Sequence, residues 1–344
     1  MKNDKRIRKK NVIAFDIGTT VTKIAIGKHN NKKLIVKRVL SFDTPASSIS
    51  NGRISDINAL VKFLKGVLLD EKIKEKYAIV NIKSSSIINR ELIVPYNENK
   101  EELNKMIQYE LSQFSTISME NYIPQYQILD EFFDEKVKMV RVLVSSLERN
   151  IVEDYLSLIR QVGLKPYVFD VHFNAISKFF DVYNSEADRE MTVAVIDIGF
   201  DGTDVAIIQD GKYRMSKTMD YGSNTLERVF KDDLKLDYNA RNIEYLFTKG
   251  GETQRKLVED TLGYMITEIQ EILRYHISRD SKNKVDNIFI TGGIGSIKPL
   301  VDYIADQVGF ELYEFKVLDR VLIGYNGGYD IPAYVNVLGS LVRR

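Results

Sequence analysis

Phe15-Asp16-Ile17-Gly18-Thr19-Thr20-Val21-Thr22-Lys23 is the stretch on which the reading of this chain turns. A short apolar run, Val12 to Phe15, ends in Asp-x-Gly, and a second strand-like run, Val21 to Ile26, follows at once. A strand that ends this way brings a carboxylate and a backbone without a side chain to one point, which is what close approach to a polyphosphate and its magnesium requires. The arrangement returns at Asp197-Ile198-Gly199 after Val193 to Ile196, and Thr291-Gly292-Gly293 follows the apolar run Val285 to Ile290. One Asp-x-Gly alone is a tight turn with a capping Asp. Two of them, in matching halves, can grip phosphates from both sides.

Bulk properties frame this reading. At 344 residues the chain is long for one core and predicts about two domains. Lys and Arg total 49 against 48 for Asp and Glu, a net charge of +1, so no global field points to nucleic acid. With no Cys there is no disulfide, thiolate nucleophile or Cys-based metal site. The three His, at 29, 172 and 276, lie too far apart for a local zinc motif. Residues 1–10 read as a basic, solvated, flexible tail and not as a secretion signal. No apolar run approaches the roughly 20 residues of a membrane span. The expectation is a soluble, cytoplasmic protein.

Leu34 to Phe42 gives a third strand, so the chain begins as a β-meander. Ile57, Leu60, Val61, Leu64, Val67 and Leu68 recur at helical spacing behind Ser55 as the expected cap, and Tyr77 to Ile82 returns to strand. From Ser84 the pattern becomes that of a compact α+β insertion: a strand ending at Pro95, a helix over Leu103 to Phe114, strands near Tyr126 to Leu129 and Val137 to Leu147, and a helix stopping at Gly163. Strand, turn, strand, turn, strand then recurs from Val193 to Lys217, a weak internal repeat of the opening. The boundaries expected are 11–83 plus 169–190 for a first domain, 84–168 for the insertion and 191–344 for a second domain.

The three glycine segments, in this order, resemble the actin, Hsp70 and sugar kinase superfamily over the whole chain. Within it, Phe15 to Lys23, Arg90-Glu-Leu-Ile-Val-Pro95, Glu101 to Phe114, Tyr122-Ile-Pro124, Tyr126 to Asp130, Phe169-Asp170-Val171 with Ala175, and Ile290 to Leu300 resemble the PilM family of type IV pilus assembly. The order of elements in the insertion is also similar to that of the FtsA family. The resemblance implies an α/β fold of duplicated actin-like (ribonuclease H-like) domains with an inserted α+β subdomain and a nucleotide cleft between the domains. It implies ATP and magnesium as cofactors. Gly18, Thr19, Thr20 and Lys23 would serve one phosphate segment, and Gly199, Gly202, Thr203 and Gly222 the other. Asp16 and Asp197 would hold magnesium through water, and Gly292, Gly293 and Ile294 would receive adenosine. As partner it implies the cytoplasmic tail of a PilN-like inner-membrane protein, with a link to the pilus motor ATPases and peripheral attachment to the membrane through that partner.

Departures from the family pattern bear on catalysis. The family's Asp-Val-Glu-Pro is here Asp170-Val171-His172-Phe173. The superfamily's Glu lies near the attacking water, where it orients or deprotonates it. His172 either accepts that proton or packs beside Phe169 and Phe173. Hydrolysis is accordingly expected to be slow or absent. Arg241 and Glu244 reverse the charge order usual on the nucleotide-facing helix and read as a surface pair. Two alternatives stay open. A small-molecule kinase would need a base, for which Asp170 is the conspicuous candidate. An FtsA-like division scaffold would carry an amphipathic membrane helix beyond the final Leu338 to Arg344, and none follows.

Overall fold

A computed structural model describes residues 7, 10–30, 33–114, 119–183, 191–281, 283–314, 321–323 and 331–343. Most of the basic tail expected at 1–10, and residues 31–32 and 184–190, lie outside them.

The opening is the meander that the alternating apolar runs predict. Strands β1 (Val12–Ile17), β2 (Val21–Asn30) and β3 (Lys33–Asp43) pair antiparallel in sequence. The Gly18 amide closes the first turn on the Val21 carbonyl at 3.1 Å. A small hairpin, β4 (Ile49–Ser50) and β5 (Arg53–Ile54), turns at Asn51 and Gly52, both at positive φ as a primed two-residue turn requires. Helix α1 (Ile57–Asp70) follows and buries Leu60, Leu64 and Val67 on the sheet. Its cap is Asp56, whose carboxylate accepts the Ala59 amide at 2.9 Å, and not the expected Ser55. The carboxylate also suits the positive end of the helix dipole. Strand β6 (Tyr77–Ile82) joins parallel to β1.

The insertion is a three-stranded antiparallel sheet with one helix. It comprises β7 (Ile88–Pro95), α2 (Lys100–Phe114), β8 (Tyr122–Asp134) and β9 (Val137–Glu148) in the order β7-β9-β8. Leu103, Ile107 and Leu111 of α2 meet Leu92, Val94, Val140, Val142 and Val144 in a separate small core. Helix α3 (Arg149–Gln161), which falls in the 84–168 stretch expected for the insertion, packs in the first lobe's core, and strand β10 (Lys165–Val171), which straddles the boundary expected at 168, pairs parallel to β6. Ile151, Tyr155, Leu158 and Ile159 of α3 share a core with Phe15 and Leu60, because their i, i+4, i+7, i+8 spacing makes one wide apolar face.

Helix α4 (His172–Tyr183) leads to the second lobe, where the opening plan repeats. Strands β11 (Thr192–Ile198), β12 (Thr203–Gln209) and β13 (Lys212–Met219) form the second meander. Helices α5 (Ser223–Arg228, continued by a π-helical turn Val229–Asp233), α6 (Ala240–Lys249) and α7 (Glu252–Ser278) follow. Strand β14 (Asn287–Gly292) then pairs parallel to β11, as β6 does to β1, and α8 (Lys298–Val308) packs behind it. The duplication holds in register: Asp16 stands opposite Lys23, and Asp197 opposite Asp204.

Two late elements return to the first lobe. Strand β15 (Val321–Ile323) pairs parallel to β3, giving the sheet order β10-β6-β1-β2-β3-β15. Helix α9 (Ile331–Leu341) lies in the first lobe's core, although both elements fall within the 191–344 expected for the second domain. That core joins Val12, Ala14 and Ile79 of the first sheet to Val193, Val195 and Phe289 of the second. Among the described residues no helix is long and apolar enough to cross a membrane.

Helices α4 and α9 approach closely at one small-residue point: a Cβ on Gly339 would stand 1.9 Å from the Ala175 carbonyl oxygen. Gly339→Ala is expected to push the helices apart and to cost about 1–3 kcal/mol in urea unfolding. An unchanged midpoint would mean that the crossing yields freely.

Candidate functional site

The carboxyl ends of parallel strands collect ligands in α/β sheets. Here those ends come from both lobes: β1 and β6 from the first, β11 and β14 from the second. They face one another across a cavity of about 170 Å³ lined by Asp16, Gly18, Thr19, Lys83, Gly199 and Asp201 among others. Two bonds across it hold the lobes together. Thr19 Oγ1 donates to Asp201 Oδ2 at 2.5 Å, and Lys83 Nζ donates to Asp197 Oδ2 at 2.7 Å.

The paired turns have the same construction. The Gly18 amide bonds the Val21 carbonyl at 3.1 Å and the Gly199 amide the Gly202 carbonyl at 3.0 Å. A Cβ at Gly18 would come within 2.8 Å of the Val21 oxygen, so only glycine lets the backbone turn this tightly. Asp16, Gly18, Thr19, Gly199 and Gly202 line the cavity together. Thr20 is exposed beside them, and Lys23 stands opposite Asp16 in the strand pair.

Other expected residues act one layer back. Thr203 is fully buried and its hydroxyl donates to the Tyr221 carbonyl at 2.6 Å, so it faces away from the cavity. Gly222 precedes α5, and a Cβ there would stand 2.1 Å from the Phe200 carbonyl oxygen. It thereby lets the Ser223 and Asn224 amides bond the Gly199 and Phe200 carbonyls and brace the second turn. Gly292 has φ +94° and lies against Ile198, while Gly293 is exposed, and a Cβ there would meet the Ile198 carbonyl oxygen at 3.9 Å. Ile294 is 1% exposed and belongs to the second lobe's core, because the chain turns inward after the glycine pair.

Two residues not singled out from sequence, Lys83 and Asn336, complete the site together with the expected His172. Lys83, just past β6, is shared between Asp197 Oδ2 and Asp204 Oδ2, the latter at 2.6 Å. Asn336 of α9 offers its amide to Asp16 Oδ2 at 3.4 Å. His172, the first residue of α4, is 2% exposed, with Nε2 2.7 Å from Asp197 Oδ2 and its ring edge-to-face on Phe173. Burial alone would push the Asp197 carboxyl up, but Lys83 and His172 outweigh it and hold it well below the ordinary carboxylate range. Burial likewise disfavours charge on Lys83, and the two carboxylates reverse that and raise it above the ordinary lysine range. A second cavity, about 510 Å³, lies on the other side of Lys83 and reaches His172, Phe173 and Arg90.

Asp16 fits a hydrated magnesium ion: it is partly exposed, lines the cavity, and has the bare Gly18 backbone beside it. Asp197 differs, since a cation already stands on it. Asp170, the base that a kinase would use, is buried against Lys178 and accepts the Asn174 amide at 2.7 Å. Burial raises its carboxyl, and Lys178 with Arg343 more than offsets that, so it lies below the ordinary range.

The family model described as Type IV pilus assembly protein PilM matches residues 14–319. The chain is similar to the cell division protein FtsA of Streptococcus pneumoniae serotype 2 (strain D39 / NCTC 7466). The two are 24% identical over 372 residues, which cover 94% of this chain and 78% of that protein. Its structure is similar to that of a PilM-PilN type IV pilus biogenesis complex, with a TM-score of 0.81 and 18% identity over 96% of this chain and 97% of the other. It is also similar to the ethanolamine utilization protein EutJ from Carboxydothermus hydrogenoformans, with a TM-score of 0.57 and 12% identity over 96% and 89%. The duplicated lobes are thus an actin-like ATPase fold, as the glycine segments led us to expect.

The buried pair between Asp170 of β10 and Lys178 of α4 sets a pH test. Lys178→Met leaves Asp170 buried without its cation and is expected to cost about 3–5 kcal/mol near pH 7. Asp170 has a folded pKa below its unfolded value, so the pair's contribution is full above the ordinary carboxylate value of about 3.9 and is lost as pH falls through the folded one. Urea unfolding at stepped pH should show the gap to wild type closing below about pH 4. A gap independent of pH would assign the loss to packing.

Proposed function

We propose that this chain, which belongs to the type IV pilus assembly protein PilM family, is a cytoplasmic ATP-binding scaffold of the pilus inner-membrane platform. It holds the cytoplasmic tail of a PilN-like membrane protein and connects that platform to the pilus motor ATPases, so that its membrane attachment is peripheral and runs through the partner. Membership of the family supports the assembly role, and the likeness to one half of a PilM-PilN complex supports the partner. The observation that carries the nucleotide reading is the pair of Asp-x-Gly turns facing each other across one closed cleft.

In this reading the phosphates of ATP lie between Gly18-Thr19 and Gly199-Gly202, Asp16 holds magnesium through water, and adenosine rests on Gly293. Nucleotide favours the closed arrangement of the lobes by binding it more tightly than the open one. Magnesium, when bound, neutralises phosphate charge; the chain's own groups orient it. His172 lies against Asp197 in place of the family's carboxylate, which supports slow or absent hydrolysis.

Mg-ATP should raise the melting temperature of the protein, and Asp16→Ala combined with Asp197→Ala should abolish the rise. The same rise in the double variant would remove the cleft from the proposal. For the partner, the immobilised cytoplasmic N-terminal peptide of the PilN-like protein from the same organism should retain the purified chain. A division scaffold, the reading favoured by the 24% identity to FtsA, would instead be retained only by FtsZ.

A further inference from the structure

We propose that Lys83 is a nucleotide-phosphate-binding residue, a fixed cation at the second phosphate turn that does there what a divalent ion would otherwise have to do. The proposal rests on the nucleotide reading above and deepens it. It implies that ATP still binds this cleft when magnesium is withheld.

Charge balance is the starting point. Asp197 and Asp204 are each 3% exposed, and their carboxylates share one small volume at the floor of the cleft. Two buried carboxylates that close repel, and a cation held between them offsets the repulsion. A polyphosphate brought to the same place would add more negative charge, and a site that receives one commonly supplies Mg²⁺ or a basic side chain to meet it. Here a lysine from the opposite lobe stands 2.7 Å from Asp197 and 2.6 Å from Asp204. A divalent ion on Asp197 would have to share that carboxylate with the ammonium and would be repelled by it.

The ammonium is also placed to meet a ligand. Its side chain is 32% exposed and lines the cavity between the phosphate turns. A Cβ on Gly199 would stand 3.1 Å from Lys83 Nζ, so the ammonium rests directly against the second turn. Of its three N–H donors one goes to Asp197 Oδ2, and with Asp204 at ion-pair distance a donor remains for a phosphate oxygen. Lys83 further separates the phosphate cavity from the larger one that reaches His172 and Arg90. A terminal phosphate would meet it from the first cavity.

Equilibrium binding of ATP to the full chain, in magnesium and in EDTA, tests this without any substitution. The wild type is expected to bind ATP in EDTA as well as in magnesium, more tightly in magnesium because of the ion at Asp16. Lys83→Met should weaken ATP in EDTA by roughly 10- to 100-fold, the worth of one charged hydrogen bond, while Lys83→Arg, which keeps a cation on Asp197 and Asp204, should retain most of the affinity. Binding of ATP by the wild type in magnesium only would overturn the Lys83 assignment and leave the nucleotide reading standing. Unaltered ATP binding by Lys83→Met in EDTA would overturn the assignment as well. No binding of ATP under either condition would overturn both.

Discussion

Two carboxylates of the second lobe, Asp197 and Asp204, are removed from water and share one ammonium that belongs to the first. Removing one partner from such a buried pair is far costlier than the pair's net worth, because the remaining charges have nowhere to go. The lobes cannot separate at this point without water or a ligand taking over the charge. The closed cleft, the proximity of the two glycine turns and the position of His172 beside Asp197 all follow from that requirement. Thr19 and Asp201 add a second bond across the same gap.

The duplication explains why the charges sit where they do. Register pairs Asp16 with Lys23 in the first meander and Asp197 with Asp204 in the second, at equivalent positions. Where the first lobe has a lysine opposite its aspartate on the adjacent strand, the second has an acid in both places and takes its cation from the other lobe. The two halves of the fold are therefore alike in backbone and unlike in electrostatics, and the asymmetry makes them dependent on each other.

The turns were legible because their chemistry is local: Asp-x-Gly after an apolar run specifies strand, reversal and exposed backbone within a few residues. The meanders, most helices and the inserted sheet could be read for the same reason. Lys83 and Asn336 could not. Each is an ordinary residue in its own stretch, and reaches the site only because β6 lies beside β1 and α9 folds back over the first sheet. Helix α9 itself, Ile-Pro-Ala-Tyr-Val-Asn-Val-Leu-Gly-Ser-Leu, is apolar on nearly every face and lacks the amphipathic period that marks a surface helix. Thr203 shows the opposite error: its place beside Gly202 suggested a phosphate contact, but strand alternation turns its hydroxyl to Tyr221.

The return of α9 also fixes an order of events during synthesis. A nascent chain that has emerged through β14 already holds both glycine turns and Lys83, yet the layer between the two sheets lacks Val335, Val337 and Leu338, and Asp16 lacks Asn336. Domains tend to fold as they leave the ribosome, but this first lobe is assembled from the chain's opening strands and from residues made some three hundred positions later. The second lobe, whose core runs from Ala194 to Val308, is contiguous and can form while the first still waits. The cleft is thus completed last, and the first lobe closes onto a partner that is already folded.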